Sequence, residues 1–305
     1  MGGTVYPASG QYLVMCQTHC DEIPPVEIKL MTSLLTPADY VNAPTVTGDH
    51  RYAYGELPDQ YGELFMPDAA PPDGGYPTMV LLHGGCWRER FGAAPMGQLA
   101  RAISGLGYAV WNVEYRRIDG AGGWPTTFED VGGAIDFLRT IALERNLNLT
   151  RIVAAGHSAG GHLALWLGGR AHIPQGMSLS NANPLVPSAV VSFAGIGDLA
   201  DALEHDICGT AVAELMGGTP AQYPERYEQG SPHALLPLGV PHWHIFGTRD
   251  ALVSPDHIRR FVSASTLAGD NAQAVEVEGV GHFEIVLASS SVWSQVEDVL
   301  RGVAV

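Results

Sequence analysis

The sequence predicts an α/β fold, with a mostly parallel central sheet of about eight strands and helices on both faces. Short apolar runs bounded by Gly or Pro recur along the chain and alternate with segments of helical spacing. Strands that alternate with helices in this way form parallel sheets covered on both sides. No internal repeat of about 20 to 50 residues is visible, so one fold fills most of the 305 residues.

The strands are predicted in chain order from these runs. Two polar-alternating segments, 51–54 and 61–66, predict a hairpin at the sheet edge because a Pro-Asp turn joins them. Five buried strands are then predicted at residues 78–82, 109–113, 152–155, 189–193 and 242–246. Residues 273–278 predict the last strand, which makes eight in all.

Helices are predicted between the strands from apolar residues at helical spacing. One segment is marked by Phe128, Val131, Ile135, Leu138 and Ile141, and others follow the third buried strand and close the chain at 292–300. Residues 198–240 contain only short helical pieces, because glycines and prolines interrupt them. We expect this stretch to be a short helical cap-like insertion over one end of the sheet.

Residues 1–45 fit this plan poorly, since the first 30 carry no clear period. The expected organisation is therefore an N-terminal arm over 1–45 followed by the α/β domain over 46–305. A flexible arm, an oligomerisation arm and a mis-set start codon, with Met31 as the natural start, all remain open.

Charge and composition exclude two classes of binding partner. Sixteen Lys and Arg against 32 Asp and Glu give a net charge of −16, which would repel nucleic acid and anionic lipid. No apolar window is long enough to span a bilayer, and the N-terminus does not resemble a signal peptide, so a cytoplasmic location is expected. A small-molecule partner is expected, and a homodimer remains open.

The four cysteines are too few for a disulfide scaffold, and Cys86 and Cys208 are interpreted as ordinary thiols. Cys16, His19 and Cys20 form a short cluster but lack the four ligands of a structural zinc site. We therefore expect neither a metal nor a cofactor.

The strongest motif is Gly156-His157-Ser158-Ala159-Gly160, which matches G-x-S-x-G between a predicted strand and a predicted helix. The glycines allow strand and helix to approach closely around a sharp turn, and the turn exposes the serine hydroxyl. Ser158 is the candidate nucleophile.

A serine needs a general base that is itself oriented by an acid. Asp250 follows the strand at 242–246 and His282 follows the strand at 273–278, so both fall at the carboxyl edge of the sheet, where open sheets bind ligands. Asp256 is the rival acid, but it lies at or inside a predicted helix.

A fourth element, His83-Gly84-Gly85-Cys86-Trp87, follows the strand at 78–82. Its glycines leave backbone N–H groups free to bind an oxyanion together with the N–H of Ala159. Trp87 and His157 flank the site and are the predicted substrate-binding residues.

Together HGGCW at 83–87, GHSAGG at 156–161, GTRDALV at 247–253 and GVGH at 279–282 resemble the α/β-hydrolase superfamily over about residues 50–303. The HGGxW form and WNVEYRR at 111–117 resemble the esterase branch that contains kynurenine formamidase (arylformamidase). The resemblance implies Ser158 as nucleophile, Asp250 as acid, His282 as base, and Gly85, Cys86 and Ala159 as oxyanion donors. Cys86 stands where the hormone-sensitive-lipase-like branch commonly has a third glycine.

The expected function is therefore that of a serine hydrolase, a carboxylesterase that cleaves small acyl esters through an acyl-enzyme. Two alternatives remain open. One is an arylformamidase acting on N-formylkynurenine, and the other is a catalytically silent binding protein with an α/β-hydrolase fold, because a fold alone does not fix a function.

Overall fold

The central sheet has the predicted number of strands. In the computed structural model, which describes residues 34–303, eight strands form one sheet in the order β1-β2-β4-β3-β5-β6-β7-β8. They are β1 (His50–Ala53), β2 (Tyr61–Phe65), β3 (Tyr76–Leu82), β4 (Ala109–Val113), β5 (Leu147–His157), β6 (Ala189–Phe193), β7 (His242–Gly247) and β8 (Ala272–Val277). The fold is that of an α/β-hydrolase, as the sequence predicts.

Strand direction divides the sheet into two parts. β1 pairs antiparallel with β2, and β2 pairs antiparallel with β4, so the predicted hairpin forms one edge. All the other neighbours are parallel. The carboxyl ends of β3, β5, β7 and β8 therefore meet at one edge of the sheet, where the predicted site residues follow them.

Ten helices lie within the described residues. They are α1 (Pro37–Val41), α2 (Gly97–Ser104), α3 (Thr126–Asp136), α4 (Leu138–Arg145), α5 (Ala159–Gly169), α6 (Leu199–Glu204), α7 (Ala211–Met216), α8 (Pro224–Gly230), α9 (Pro255–Ala268) and α10 (Trp293–Gly302). Short 3₁₀ turns add Ala94–Met96, Arg170–His172, Pro232–Leu235 and Glu284–Val286.

Helix α5 lies entirely within the hydrophobic core. Every residue of α5 is buried, although most helices in such folds expose one face. Its glycines let it pack closely, since a Cβ at Gly161 would lie 2.6 Å from the Cα of Gly195. The first turn of α5 is thereby fixed against the loop after β6.

Two regions differ from what the sequence suggests. The helical segment marked by Phe128 to Ile141 is divided at Phe137, where α3 ends and α4 begins with a tighter turn, since the N–H of Thr140 donates to the carbonyl of Phe137 over 2.8 Å. Residues 34–45 of the expected arm contain α1, and Tyr40 on this helix is buried.

The remainder of the expected arm, with the Cys16-His19-Cys20 cluster, lies outside the described residues. The boundary of the arm and the cap-like nature of 198–240 stay predictions. In the part of the chain that the structure describes, no helix is long and apolar enough to cross a membrane.

Candidate active site

Ser158 is the single residue between β5 and α5, and its backbone is strained. Its φ of 55° and ψ of −117° lie outside the regions that a serine ordinarily adopts. The turn is possible because Gly156 and Gly160 leave no room for side chains: a Cβ at Gly156 would lie 2.1 Å from the carbonyl oxygen of Gly160. Ser158 therefore stands on a sharp strand-to-helix turn, as the G-x-S-x-G motif predicts.

The structure brings Asp250, and not Asp256, to His282. The Nδ1 of His282 donates to Asp250 Oδ2 over 2.6 Å, and both residues are buried. Asp250 Oδ1 accepts the backbone N–H groups of Leu252 and Val253 at 2.8 and 2.9 Å, which fixes the carboxylate. The opposite ring nitrogen, Nε2, is then the basic one.

Asp256 lies in the first turn of α9, with 75% of its side chain exposed, and binds Arg259 over 2.8 Å. Because Asp256 lies on the surface and pairs with Arg259, its carboxylate does not contact His282.

Ser158 and His282 line one cavity of about 190 Å³. Gly85, Cys86 and His157 of the predicted site also line it. So do four aromatic or cationic residues that the sequence did not single out as site residues: Tyr40, Arg90, Phe91 and Phe283. No acidic side chain lines the cavity within residues 34–303. The wall is mostly apolar.

The loop after β3 is held in an unusual conformation. Gly85, Cys86 and Trp87 all have positive φ, at 112°, 50° and 55°. Glu114 supports this loop from below, because its Oε1 lies 2.9 Å from His83 Nε2 and its Oε2 accepts the N–H of Ala93 at 2.9 Å. Such support keeps backbone N–H groups oriented without the help of substrate.

Glu114 stays ionised in this buried position. Burial alone would raise the pKa of its carboxyl, but the neighbouring His83 and Arg117 lower that pKa below its ordinary value. Arg117 Nη1 donates to Glu114 Oε1 over 2.7 Å. Glu114 and Arg117 therefore form a buried ion pair beside this loop.

The two predicted substrate-binding residues differ in position. His157 lines the cavity, but its Nε2 bonds the carbonyl oxygen of His282 at 3.0 Å, so it also supports the loop of the candidate base. Burial, and next the charge of His282, hold the pKa of His157 well below its ordinary value. Trp87 is fully buried and packs edge-on against His162 at 5.3 Å, so the prediction that it contacts substrate is not supported by its position.

Cys86 and Cys208 form a disulfide, which corrects their interpretation as ordinary thiols. They are 122 residues apart in sequence, but the loop after β3 and the turn between α6 and α7 meet beside the cavity, with 5.6 Å between the two Cα atoms. Arg88, two residues beyond Cys86, also binds Glu214 on α7. The candidate oxyanion loop is thus joined to the segment of short helices.

Sequence reasoning missed the contribution of residues 34–41. Tyr40 stacks on Phe283 at 5.5 Å between ring centroids and covers one wall of the cavity. The buried Glu284 accepts the N–H of Leu35 at 2.7 Å and that of Gly281 at 3.1 Å, so it ties this segment to the loop that carries His282. A lone tyrosine and a glutamate two positions after a histidine give no sequence signal of such contacts.

Comparisons with known proteins show the family of this chain. Residues 63–264, about two thirds of the chain, match the family model described as BD-FAE. Esterase LipC of Mycobacterium tuberculosis is 25% identical over 241 residues, which cover 76% of this chain and 59% of LipC. The chain thus spans about three fifths of the length of that relative.

Two solved structures share the fold. A truncated form of a carbohydrate esterase from gut microbiota superposes with a TM-score of 0.71 at 20% identity, covering 85% of this chain and 97% of that one. An esterase of Thermogutta terrifontis gives a TM-score of 0.65 at 21% identity, covering 83% of this chain and 90% of that one.

Proposed function

Because this chain belongs to the BD-FAE family and has the α/β-hydrolase fold, we propose that it is a serine carboxylesterase that cleaves small acyl esters. The observation that carries the proposal is the contact between Asp250 and His282, with His282 and Ser158 lining the same cavity. Acyl transfer requires a nucleophile, an orienting acid and a base, and Ser158, Asp250 and His282 supply them in the chain order that is typical of this fold. The esterases named above support the same reaction class.

The first half of the reaction forms an acyl-enzyme. The Oγ of Ser158 attacks the ester carbonyl, and His282 Nε2 takes its proton while Asp250 stabilises the imidazolium. The tetrahedral intermediate then breaks its bond to the alcohol oxygen, which leaves with the proton from His282. Water repeats these steps on the acyl-enzyme, releases the acid and frees Ser158.

Negative charge on the intermediate needs fixed donors. The N–H of Ala159 belongs to the first turn of α5 and has no acceptor within its own helix, and the loop at Gly85 and Cys86 lies on the cavity wall. We assign these three N–H groups to the oxyanion. Removing one such donor typically lowers kcat by about 10² to 10³.

The size of the cavity favours short acyl groups. At about 190 Å³ it is smaller than the roughly 300 to 1,000 Å³ of typical ligand pockets. We expect p-nitrophenyl acetate and butyrate to be hydrolysed and decanoate to be poor. A preference for decanoate over acetate would contradict this assignment.

N-formylkynurenine is a second candidate substrate, because a formyl group needs little space and aromatic rings line the cavity at Tyr40, Phe91 and Phe283. Amines leave less easily than alcohols, so we expect slower turnover than with esters. A kcat/KM for N-formylkynurenine about a hundredfold above that of every ester would make arylformamidase the better assignment. A ratio of this size is typical of the discrimination between a cognate substrate and its rivals.

A fluorophosphonate probe tests the reaction class directly, since it labels only an activated serine. Labelling of the wild-type protein and its loss in Ser158→Ala would support a serine hydrolase. If neither protein reacts and no ester is cleaved, the fold serves as a binding protein.

The role of His282 is tested by substitution. His282→Ala removes the ring that takes the proton of Ser158, so kcat should fall by about 10⁴ to 10⁶ while the fold stays intact by circular dichroism. Residual activity above a tenth of the wild-type rate would remove His282 from the role of base.

The disulfide bears on the expected location of the protein. Disulfides persist mainly in oxidising compartments, so the bond between Cys86 and Cys208 argues against the cytoplasmic location expected from the sequence. Cell fractionation decides the compartment, and light scattering decides between monomer and homodimer.

A further inference from the structure

Arg90 is an exposed arginine at the cavity wall that has no ion-pair partner among residues 34–303. Two other arginines near this loop differ, since Arg88 binds Glu214 and Arg117 binds Glu114. Acidic residues outnumber basic ones two to one in this protein, so an unpaired arginine beside the candidate nucleophile is notable.

The position of Arg90 is defined by its neighbour. Its guanidinium carbon lies 4.8 Å from the centre of the Phe91 ring, a cation–π arrangement that holds the charge at the cavity. Phe91 in turn packs on Gly85, where a Cβ would lie only 2.4 Å from the Cβ of Phe91. The cation is therefore connected to the candidate oxyanion loop.

Within residues 34–303, no acidic side chain neutralises this charge from the cavity wall. Glu89, the nearest acid in sequence, lies 3.7 Å from the guanidinium of Arg117 instead. The remaining wall is apolar or aromatic at Pro37, Tyr40 and Leu252, and His157 is kept neutral by burial. Among the described residues that line the cavity, Arg90 is therefore the one with a permanent charge.

We propose that Arg90 binds a carboxylate on the substrate, so that the preferred substrates are short esters with an anionic group beyond the scissile bond. This inference rests on the proposed esterase function and names its substrate class. The planar guanidinium can donate two parallel hydrogen bonds to a carboxylate, whereas a neutral ester leaves it solvated. Arg90 would act on binding and specificity, without taking part in bond breaking.

The test compares para-acetoxybenzoate with its neutral isostere para-acetoxybenzamide. In the wild-type protein, kcat/KM should favour the carboxylate, mainly through KM. Arg90→Gln should reduce the ratio of the two values by about 2- to 5-fold, as expected for one ion pair at an exposed site. About 0.5 M NaCl should lower kcat/KM for para-acetoxybenzoate more than for para-acetoxybenzamide, because salt screens the charge of Arg90. Arg90→Lys retains a positive charge and should keep part of the preference for the carboxylate.

Arg301→Gln is the matched control. It removes the same charge from α10, where Arg301 pairs with Glu297, and should leave the ratio unchanged. An equal fall in both variants would show a general charge effect and overturn the proposal. An unchanged ratio in Arg90→Gln would overturn it as well.

Equilibrium binding to Ser158→Ala separates this inference from the proposed reaction. Para-acetoxybenzoate should bind that variant more tightly than the amide, and adding Arg90→Gln should abolish the difference. Equal binding of the two compounds refutes the carboxylate site even if esters are hydrolysed. If the wild-type protein hydrolyses no ester while Ser158→Ala still binds the carboxylate more tightly, the esterase function is refuted instead.

Discussion

Ser158 holds a backbone conformation that costs about 1 to 3 kcal/mol at a residue other than glycine. The surrounding packing maintains it, since Gly160 lies so close to β3 that a Cβ there would be 2.1 Å from the carbonyl oxygen of Leu82. The hydroxyl is therefore presented by the fold itself and does not depend on substrate.

Ser158→Ala should lower kcat for p-nitrophenyl acetate by about 10⁴ to 10⁶, because the residual rate comes only from the oxyanion donors and binding. The fold should be unchanged by circular dichroism, because alanine adds no atoms to the turn. Ser178→Ala, at an exposed serine, is the control and should retain full activity. Residual activity above a tenth of the wild-type rate would exclude Ser158 as nucleophile.

Asp250→Asn should lower kcat by about 10³ to 10⁴, because an amide in place of the carboxylate favours the wrong tautomer of His282. Asp256→Asn should change kcat less than twofold, since its partner is the exposed Arg259. Steady-state kinetics on both variants compare them directly. The opposite ranking would reassign the acid to Asp256.

Residues with a local signal could be predicted from the sequence. Ser158, Asp250 and His282 each follow a strand near a glycine, and the structure places them together at one sheet edge. Tyr40 and Glu284 have no such signal, because what distinguishes them is contact with residues far away in the chain. Arg90 has none either, because what distinguishes it is its place on the cavity wall.

Strands, like residues, could be predicted where a local run of the sequence defines them and not where a neighbouring strand does. The strands predicted at 109–113 and 189–193 match β4 and β6 residue for residue, since continuous apolar runs define them. β5 begins at Leu147, five residues before its predicted start, because polar residues such as Asn148 pair with β3 across a shift in register. Pairing of this kind depends on the neighbouring strand and is not visible in a single run.

The disulfide gives a prediction at this scale. Closing a loop of 122 residues removes conformational entropy from the unfolded chain, worth up to about 5 kcal/mol. A reductant should therefore lower Tm by up to roughly 10 to 20 °C. Differential scanning calorimetry with and without reductant measures the change.

Cys208→Ser is the control for this effect, because it retains the other three cysteines. Its Tm should already be low and should not respond to reductant. A reductant-sensitive Tm in Cys208→Ser would assign the effect to other thiols, and an insensitive wild-type protein with two reduced thiols would contradict the stabilising role.

Buried histidines make the stability of the whole molecule depend on pH. Burial lowers the pKa of His162 to about 4, and it lowers that of His244 well below the ordinary value, with the charges of His242 and His257 adding to the effect. The unfolded chain binds protons at these groups below about pH 6.5, whereas the folded chain does not. Stability should therefore fall as the pH decreases from about 6.5 towards 4.

For His162 alone the expected loss of stability between pH 7 and pH 5 is about 2 kcal/mol. Urea denaturation at the two pH values measures it. His162→Gln cannot take up a proton, and its amide can still donate towards the carbonyl of Gly230, which His162 Nε2 contacts at 2.8 Å. The variant should lose correspondingly less stability over this range. An equal loss in both proteins would show that His162 is not a source of the pH dependence.

The bond between Leu35 and Glu284 joins positions 249 residues apart and connects the first described segment to the loop of His282. During synthesis at about 5 to 20 residues per second, the ribosome has made the turn at Ser158 well before the chain reaches His282. Partly made chains therefore expose the nucleophile turn without its base and without the wall that Tyr40 supplies. Catalytic competence should arise in a single late event, so that on refolding, ester hydrolysis recovers no earlier than tryptophan fluorescence.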